Sequence, residues 1–415
     1  MRATHEILEA FILDRYRALD LVQRRLDIAL DPRTWPRSVV DKRLTSGTGL
    51  VNIDLGEALH ELGTITMPSI LSPASPALFW AWVRYYLAPS RHDDLRISMD
   101  FSDLDPHLKG ILSDDFGVAL ATHWVRKRLG PFTRIVDGRK FANQFGHLQR
   151  RQHKSKAKVG MNKAPDFVML DASGKWHILE CKGTQSSRDY QRKALKTAVA
   201  QKKAIQLIGS VRGEQLATSV FLTNENGTPR SHMLVVDPDE DEPLIRLSGD
   251  QAEEMAVKAS RLMVARAMGS IGLSEVAMEM SLPPDINLDS ELLLSSERTR
   301  LRSARGDRLA RATERARASE LATFQHAGRK YRGRVSELDL PPVGPDFPFR
   351  KVRIRQGVTP ELVREVSESD VHVEERVDDL IQPYVQTARL AVDAADNQTS
   401  VAYGDMFYSD VEWLP

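Results

Sequence analysis

The chain has 415 residues, 58 Lys+Arg against 57 Asp+Glu, and one cysteine. Its length allows roughly two or three domains with real cores, and its ordinary Gly, Pro and apolar content excludes collagen-like, low-complexity and wholly disordered classes. One cysteine excludes a disulfide framework and a Cys-based zinc site, and fits a reducing compartment. The net charge of +1 speaks against a nucleic-acid partner only if it is spread evenly, and it is not.

Taken in chain order, residues 5–27 place Leu8, Ile12, Leu19, Val22 and Leu26 at helical spacing, which predicts an amphipathic helix. The N-terminus has no uninterrupted apolar stretch of the secretory kind. The longest uncharged stretch, Leu62 to Val83, is broken by Pro68, Pro73 and Pro76, against an unbroken membrane helix. The expectation is a cytoplasmic protein that does not engage a membrane. Residues 1–108 read as a helical N-terminal region without a chemical signature.

From Ile111 the pattern changes. ILSDDFGVALATHWVRKRLG predicts a helix with Ser113 as its N-cap and Gly130 at its end. Strands follow at 132–137, 165–171 and 175–182, the last two joined by a hairpin turn at Asp171–Gly174. Residues 186–208 predict a long helix, and TSVFLT and HMLVV two further strands. The acidic run at 237–243 marks a boundary. The expected fold class is therefore α/β: a mixed sheet core at 109–245 flanked by helices, with mainly helical extensions. These extensions are a helical, Arg-rich region at 246–340 and an acidic region at 341–415, the latter opening on a Pro-rich linker and a helix from Thr359.

The charge is strongly polarised. Between Gly138 and Pro165 lie eight Lys/Arg and no acid. Arg298 to Arg334 carries twelve Lys/Arg against three acids, and Glu361 to the end carries thirteen acids against three arginines. Arg150, Arg151, Lys154, Lys156, Lys158 and Lys163 sit between two strands of the core, where they are candidate phosphate contacts giving salt-dependent, sequence-independent affinity. The acidic C-terminus reads first as a solvating segment; docking on the basic segments or mimicry of nucleic acid are the alternatives.

Phosphodiester hydrolysis by a hard cation needs converging carboxylates. Mg²⁺ prefers oxygen ligands, polarises the phosphate and lowers the pKa of a bound water, while a nearby ammonium orients that water and offsets developing charge. Asp166, Glu180 and Lys182 form such a set. Glu180 and Lys182 share one face of a strand, Cys181 points to the other, and the hairpin brings Asp166 beside Glu180. Pro-Asp occurs four times in the chain, but Glu180-Cys181-Lys182 is its only acid-x-Lys. Cys181 reads as a core residue, His177 as a packed or surface imidazole and Asp171 as a turn residue. Pro345-Asp346 falls in the linker, and His372-Val-Glu374 is a solvated face. No Walker-type phosphate loop is present.

Pro165-Asp166, thirteen intervening residues and Glu180-Cys181-Lys182 resemble the motif of the PD-(D/E)XK phosphodiesterase superfamily, the restriction-endonuclease-like fold. The resemblance covers about 110–237. It implies that Asp166 and Glu180 are metal ligands and Lys182 the catalytic lysine, with Mg²⁺ as cofactor and Mn²⁺ able to replace it. An acid from the preceding helix completes the set in many members. Asp115 takes that place, with Asp114 as the fallback, although an acid there also complements the helix dipole. The implied activity is a metal-dependent nuclease, an endonuclease favouring DNA over RNA and leaving a 5′-phosphate. Restriction, phage defence or a mobile element is the implied setting. The rivals are the same fold acting on RNA or structured DNA, a non-catalytic nucleic-acid-binding or assembly subunit, and a nuclease gated by a protein partner or a second copy through the N- and C-terminal regions.

Overall fold

FVMLD and WHILECKGT are nearly continuous apolar runs separated by a polar turn, the pattern of strands buried on both faces. In a computed structural model they are β4 (Phe167–Asp171) and β5 (Trp176–Thr184), buried along most of their length. The structure describes residues 23–36, 39–66, 85, 88–145, 164–238, 245–282, 320–339, 350–368, 390–395, 398–404 and 406–415, with a few isolated positions between 300 and 314.

β4 and β5 belong to a seven-stranded mixed sheet. Its other strands are β1 (Gln23–Leu30), β2 (Gly49–Asp54), β3 (Phe132–Asp137), β7 (Arg212–Phe221) and β8 (His232–Val236), in the order β2-β1-β8-β7-β5-β4-β3. β5–β7 and β1–β8 pair in parallel; the other neighbours are antiparallel. Two short strands, β6 (Ile205–Leu207) and β9 (Ile245–Leu247), pair in parallel beside it.

Helices cover both faces. α1 (Leu55–Thr66) packs against α2 (Pro106–Leu129), which crosses β5. A short α3 (Gly138–Asn143) follows β3. α4 (Arg188–Lys202) lies over β5 and β7, where its Ala198 packs with Ala217 and Val236. Gln191 of α4 donates its side-chain amide to the Ser219 and His232 carbonyls, tying the helix to β7 and β8. α5 (Ala252–Ser270) packs on β3, with α6 (Ser274–Ser281) against it.

A second, six-stranded antiparallel sheet comprises β10 (Ala322–His326), β11 (Arg329–Asp339), β12 (Lys351–Val358), β13 (Leu390–Ala395), β14 (Gln398–Tyr403) and β15 (Phe407–Leu414). Their order is β10-β11-β12-β15-β14-β13. α7 (Pro360–Glu368) follows β12. Arg266 of α5 joins the two sheets, donating to the carbonyls of Ile65 and Ile135 and to the Tyr403 hydroxyl.

The mixed α/β class with helices on a mixed sheet is what the sequence predicts for the core. Three expectations are corrected. The helix expected over 5–27 is, from Gln23, strand β1: Arg24, Leu26 and Ile28 are buried alternately, a period of two that prevails over the helical spacing. Residues 5–22 lie outside the described residues. The described part of 1–108 is not a separate helical unit, because β1 and β2 extend the central sheet. The described parts of 320–415 are mainly β rather than helical, since RKYRGRVSELD and KVRIRQGV alternate buried and exposed positions despite their arginines. The linker at 341–348 and His372 and Glu374 lie outside the described residues, as does 239–243 of the acidic boundary loop. Among the described residues no helix is long and apolar enough to cross a membrane.

Candidate active site

The β4–β5 hairpin turns at Asp171–Gly174. Gly174 adopts φ 83°, a left-handed conformation that suits glycine. Asp171 closes the turn, its carboxylate accepting from the Ser173 and Lys175 N–H groups and the Ser173 hydroxyl. Its other oxygen lies 3.2 Å from Nε2 of buried His177. Both residues thus act in the hairpin's structure, and Cys181 is buried as expected.

With Phe167 opposite Leu179, the register brings Asp166 beside Glu180. The Asp166 N–H donates to Glu180 Oε2 at 2.9 Å, and the Cys181 N–H donates to Asp166 Oδ2 at 2.8 Å. Lys182 Nζ lies 2.5 Å from Glu180 Oε1. The three residues singled out in the sequence therefore converge.

Their electrostatics follow from crowding two carboxylates where water is scarce. Glu180 is fully buried, and burial, with the Asp166 carboxylate adding to it, pushes it up to about 8. Asp166 is also raised by burial, partly countered by Lys182. Burial works against the Lys182 ammonium, but the Glu180 carboxylate more than offsets this and the net shift is upward. One lysine thus serves two carboxylates that disfavour each other's ionisation.

Of the two acids considered on α2, Asp114 is the one that lines a cleft with Lys182. Helix α2 starts earlier than expected, at Pro106 with Asp105 as its cap, and Ser113 is an interior residue whose hydroxyl donates to the Lys109 carbonyl. That phase puts Asp114 in the same cleft as Lys182. Burial raises Asp114, and the Gly183 N–H and Lys182 ammonium oppose the rise. Asp115 does not line the cleft. Close passage of α2 over β5 depends on two glycines. A Cβ on Gly117 would lie 2.7 Å from the Lys182 carbonyl carbon, and one on Gly183 would strike the Ser113 carbonyl oxygen.

Among the described residues no group of three or more His, Cys, Asp or Glu side chains is placed to hold a metal. The donor chemistry of Asp166 and Glu180 nevertheless suits a hard cation: two oxygen donors, mutually repelling when ionised, relieved by a positive charge between them. Asp114, which lines the cleft with Lys182, is a further oxygen donor on the neighbouring helix. The six expected phosphate contacts, Arg150, Arg151, Lys154, Lys156, Lys158 and Lys163, lie outside the described residues.

A cleft of about 880 Å³ opens beside Lys182, between the first turns of α2 and the exposed face of α4. Lys109, Tyr190 and Lys193 line it, and sequence reasoning did not single them out. The available signal was an aromatic residue, Tyr190, within the charged sequence RDYQRK. No protein-family model, curated protein or solved structure matches the chain.

Proposed function

We propose that the protein is a metal-dependent nuclease of the PD-(D/E)XK type, with a restriction-endonuclease-like core, that hydrolyses phosphodiester bonds in DNA. The observation that carries this reading is the convergence of Asp166, Glu180 and Lys182 at one end of a hairpin: a half-buried and a fully buried carboxylate beside a single ammonium that also lines a cleft. Asp166 and Glu180 would hold Mg²⁺ or Mn²⁺, with Asp114 as a further acid. The ion, when bound, supplies polarisation of the phosphate and eases deprotonation of water. Lys182 orients the attacking water and offsets negative charge developing on the phosphate oxygens. Were Glu180 engaged elsewhere, its release of the Lys182 ammonium would let that group turn to substrate. Restriction, phage defence or a mobile element remains the setting implied by the resemblance.

A second reading, a non-catalytic nucleic-acid-binding subunit that keeps the fold, is favoured by one observation: Lys182 is already engaged by Glu180, 2.5 Å away. Incubation with Mg²⁺ or Mn²⁺ and supercoiled DNA, linear duplex, single-stranded DNA or RNA separates the two. The nuclease reading expects DNA cleavage by the wild type and none by Asp166→Ala or Lys182→Ala while both stay folded. Undiminished cleavage by either variant refutes the site, and inert wild type on every substrate favours the binding subunit.

A further inference from the structure

We infer that the cleft beside Lys182 is a groove for a single polynucleotide strand, with Tyr190 as a stacking platform for a base and Lys109 and Lys193 as phosphate contacts. The inference rests on the nuclease reading for the identity of the polymer, and it goes beyond that reading in naming the strand state and the residues that select it.

Tyr190 carries the argument. It is 54% exposed and, among the described residues, the only aromatic of the exposed large apolar side chains. Its helix does not need it for packing, because Gln191 and Ala198 make the buried contacts with the sheet. Its backbone N–H is committed to the helix cap through the Ser187 hydroxyl, while its ring is left in the cleft. An exposed ring beside ammonium groups is the combination with which proteins bind single strands: bases stack on the aromatic while cations follow the backbone. In a duplex both faces of each base are already stacked on neighbours, so this ring would find no face to cover.

The cations lie on both sides of the opening. Lys109 belongs to α2 and Lys193 to α4, one turn after Tyr190. Among the described residues neither ammonium has an ion-pair partner. With Lys182 between them, three lysines face the single acid Asp114 across the lining. The volume, about 880 Å³, lies toward the upper end of the roughly 300–1,000 Å³ spanned by ligand clefts. This is a walled groove suited to a few residues of a flexible strand rather than a broad face for a rigid double helix.

The test is binding, measured by fluorescence anisotropy with the full chain in EDTA so that metal-dependent cleavage is silent. Labelled oligo-dT and oligo-U separate DNA from RNA as the source of the strand, and a duplex of equal length is the comparison. Single strands should bind at least about tenfold more tightly than the duplex. Tyr190→Ala should weaken strand binding at least about fivefold, while Tyr190→Phe stays close to wild type. Lys109→Ala and Lys193→Ala should each reduce the slope of log affinity against log salt by about 0.7. Duplex binding equal to single-strand binding, or no change in a folded Tyr190→Ala protein, overturns the groove. A protein that cleaves DNA but whose strand binding ignores Tyr190 refutes this inference and leaves the nuclease reading standing. One that binds strands through Tyr190 yet cleaves nothing does the reverse.

Discussion

The two sheets treat their charges differently. In the six-stranded sheet, buried Asp410 accepts from Arg355 Nε at 2.9 Å, from the Gln398 amide at 2.7 Å and from the Tyr408 hydroxyl at 2.8 Å. Arg353 reaches Glu337 and Glu412 on the strands either side of it. Every one of these carboxylates has a guanidinium in reach. At the end of the β4–β5 hairpin, by contrast, buried Glu180 and half-buried Asp166 share one lysine, and Glu180 is pushed up to about 8. Matched charges hold a sheet together, whereas a surplus of like charge left at a cleft costs stability that the fold alone does not recover.

This contrast can be broken experimentally, beginning where the effect is largest. Lys182→Ala should lower the cleavage rate by at least about a hundredfold, the scale of losing a positioned charge-stabilising group. Asp410→Ala should act on stability alone. Removing the carboxylate on which Arg355, Gln398 and Tyr408 converge should cost about 1–3 kcal/mol in denaturant unfolding, while the protein that remains folded keeps its cleavage rate. If Asp410→Ala left stability unchanged, the account of matched charges would fail. Asp114→Ala should slow cleavage about tenfold or more, within the range of a supporting acid, and Asp115→Ala much less; the reverse ranking would reinstate the acid first expected from sequence.

The pH dependence sharpens the same point. Glu180 holds its proton in the fold up to about 8, whereas its ordinary value is 4.5. Between those values the folded chain binds more protons than the unfolded one, so this contribution is present at low pH and lost as pH rises toward 8. In EDTA the melting temperature should therefore fall between about pH 5 and 8, and the fall should be smaller in Glu180→Gln. Comparing the two proteins isolates the site from Glu214 and Asp54, which burial also raises, to about 7 and about 6. Added Mg²⁺ should recover most stability at the alkaline end. The smallest effect is expected from Arg353→Ala, at about 0–1 kcal/mol, because this ion pair is partly solvated.

Much of the site was legible in the sequence. Strands 132–137, 167–171 and 176–184 fall where their β-branched and apolar runs place them, and hairpin geometry alone brings Asp166 to Glu180. The phase of α2 was not legible. Ser113 resembles a cap, but Asp105 followed by Pro106 is the stronger start, since proline fits the first helical turn. The change puts Asp114 in the lining of the cleft. β1 was obscured because QRRLDIAL carries charges at positions that a strand half-covered on each face tolerates. The C-terminal acids invited a solvated reading because their arginine partners on β12 precede the acidic stretch in sequence and meet Asp410 and Glu412 only across strands. Tyr190 was the hardest to find: exposure, not sequence, distinguishes it from a core aromatic.

The pair of glycines between α2 and β5 has a practical consequence. Gly117 and Gly183 act as a spacer of zero thickness, setting the clearance between Asp114 and Lys182 without taking part in any chemistry. A methyl group added at Gly117 would work as a shim, lifting one wall of the cleft while leaving every reactive group intact. Such a protein would report how closely the gap must be held, a tolerance that replacing the acids or the lysine themselves can never measure.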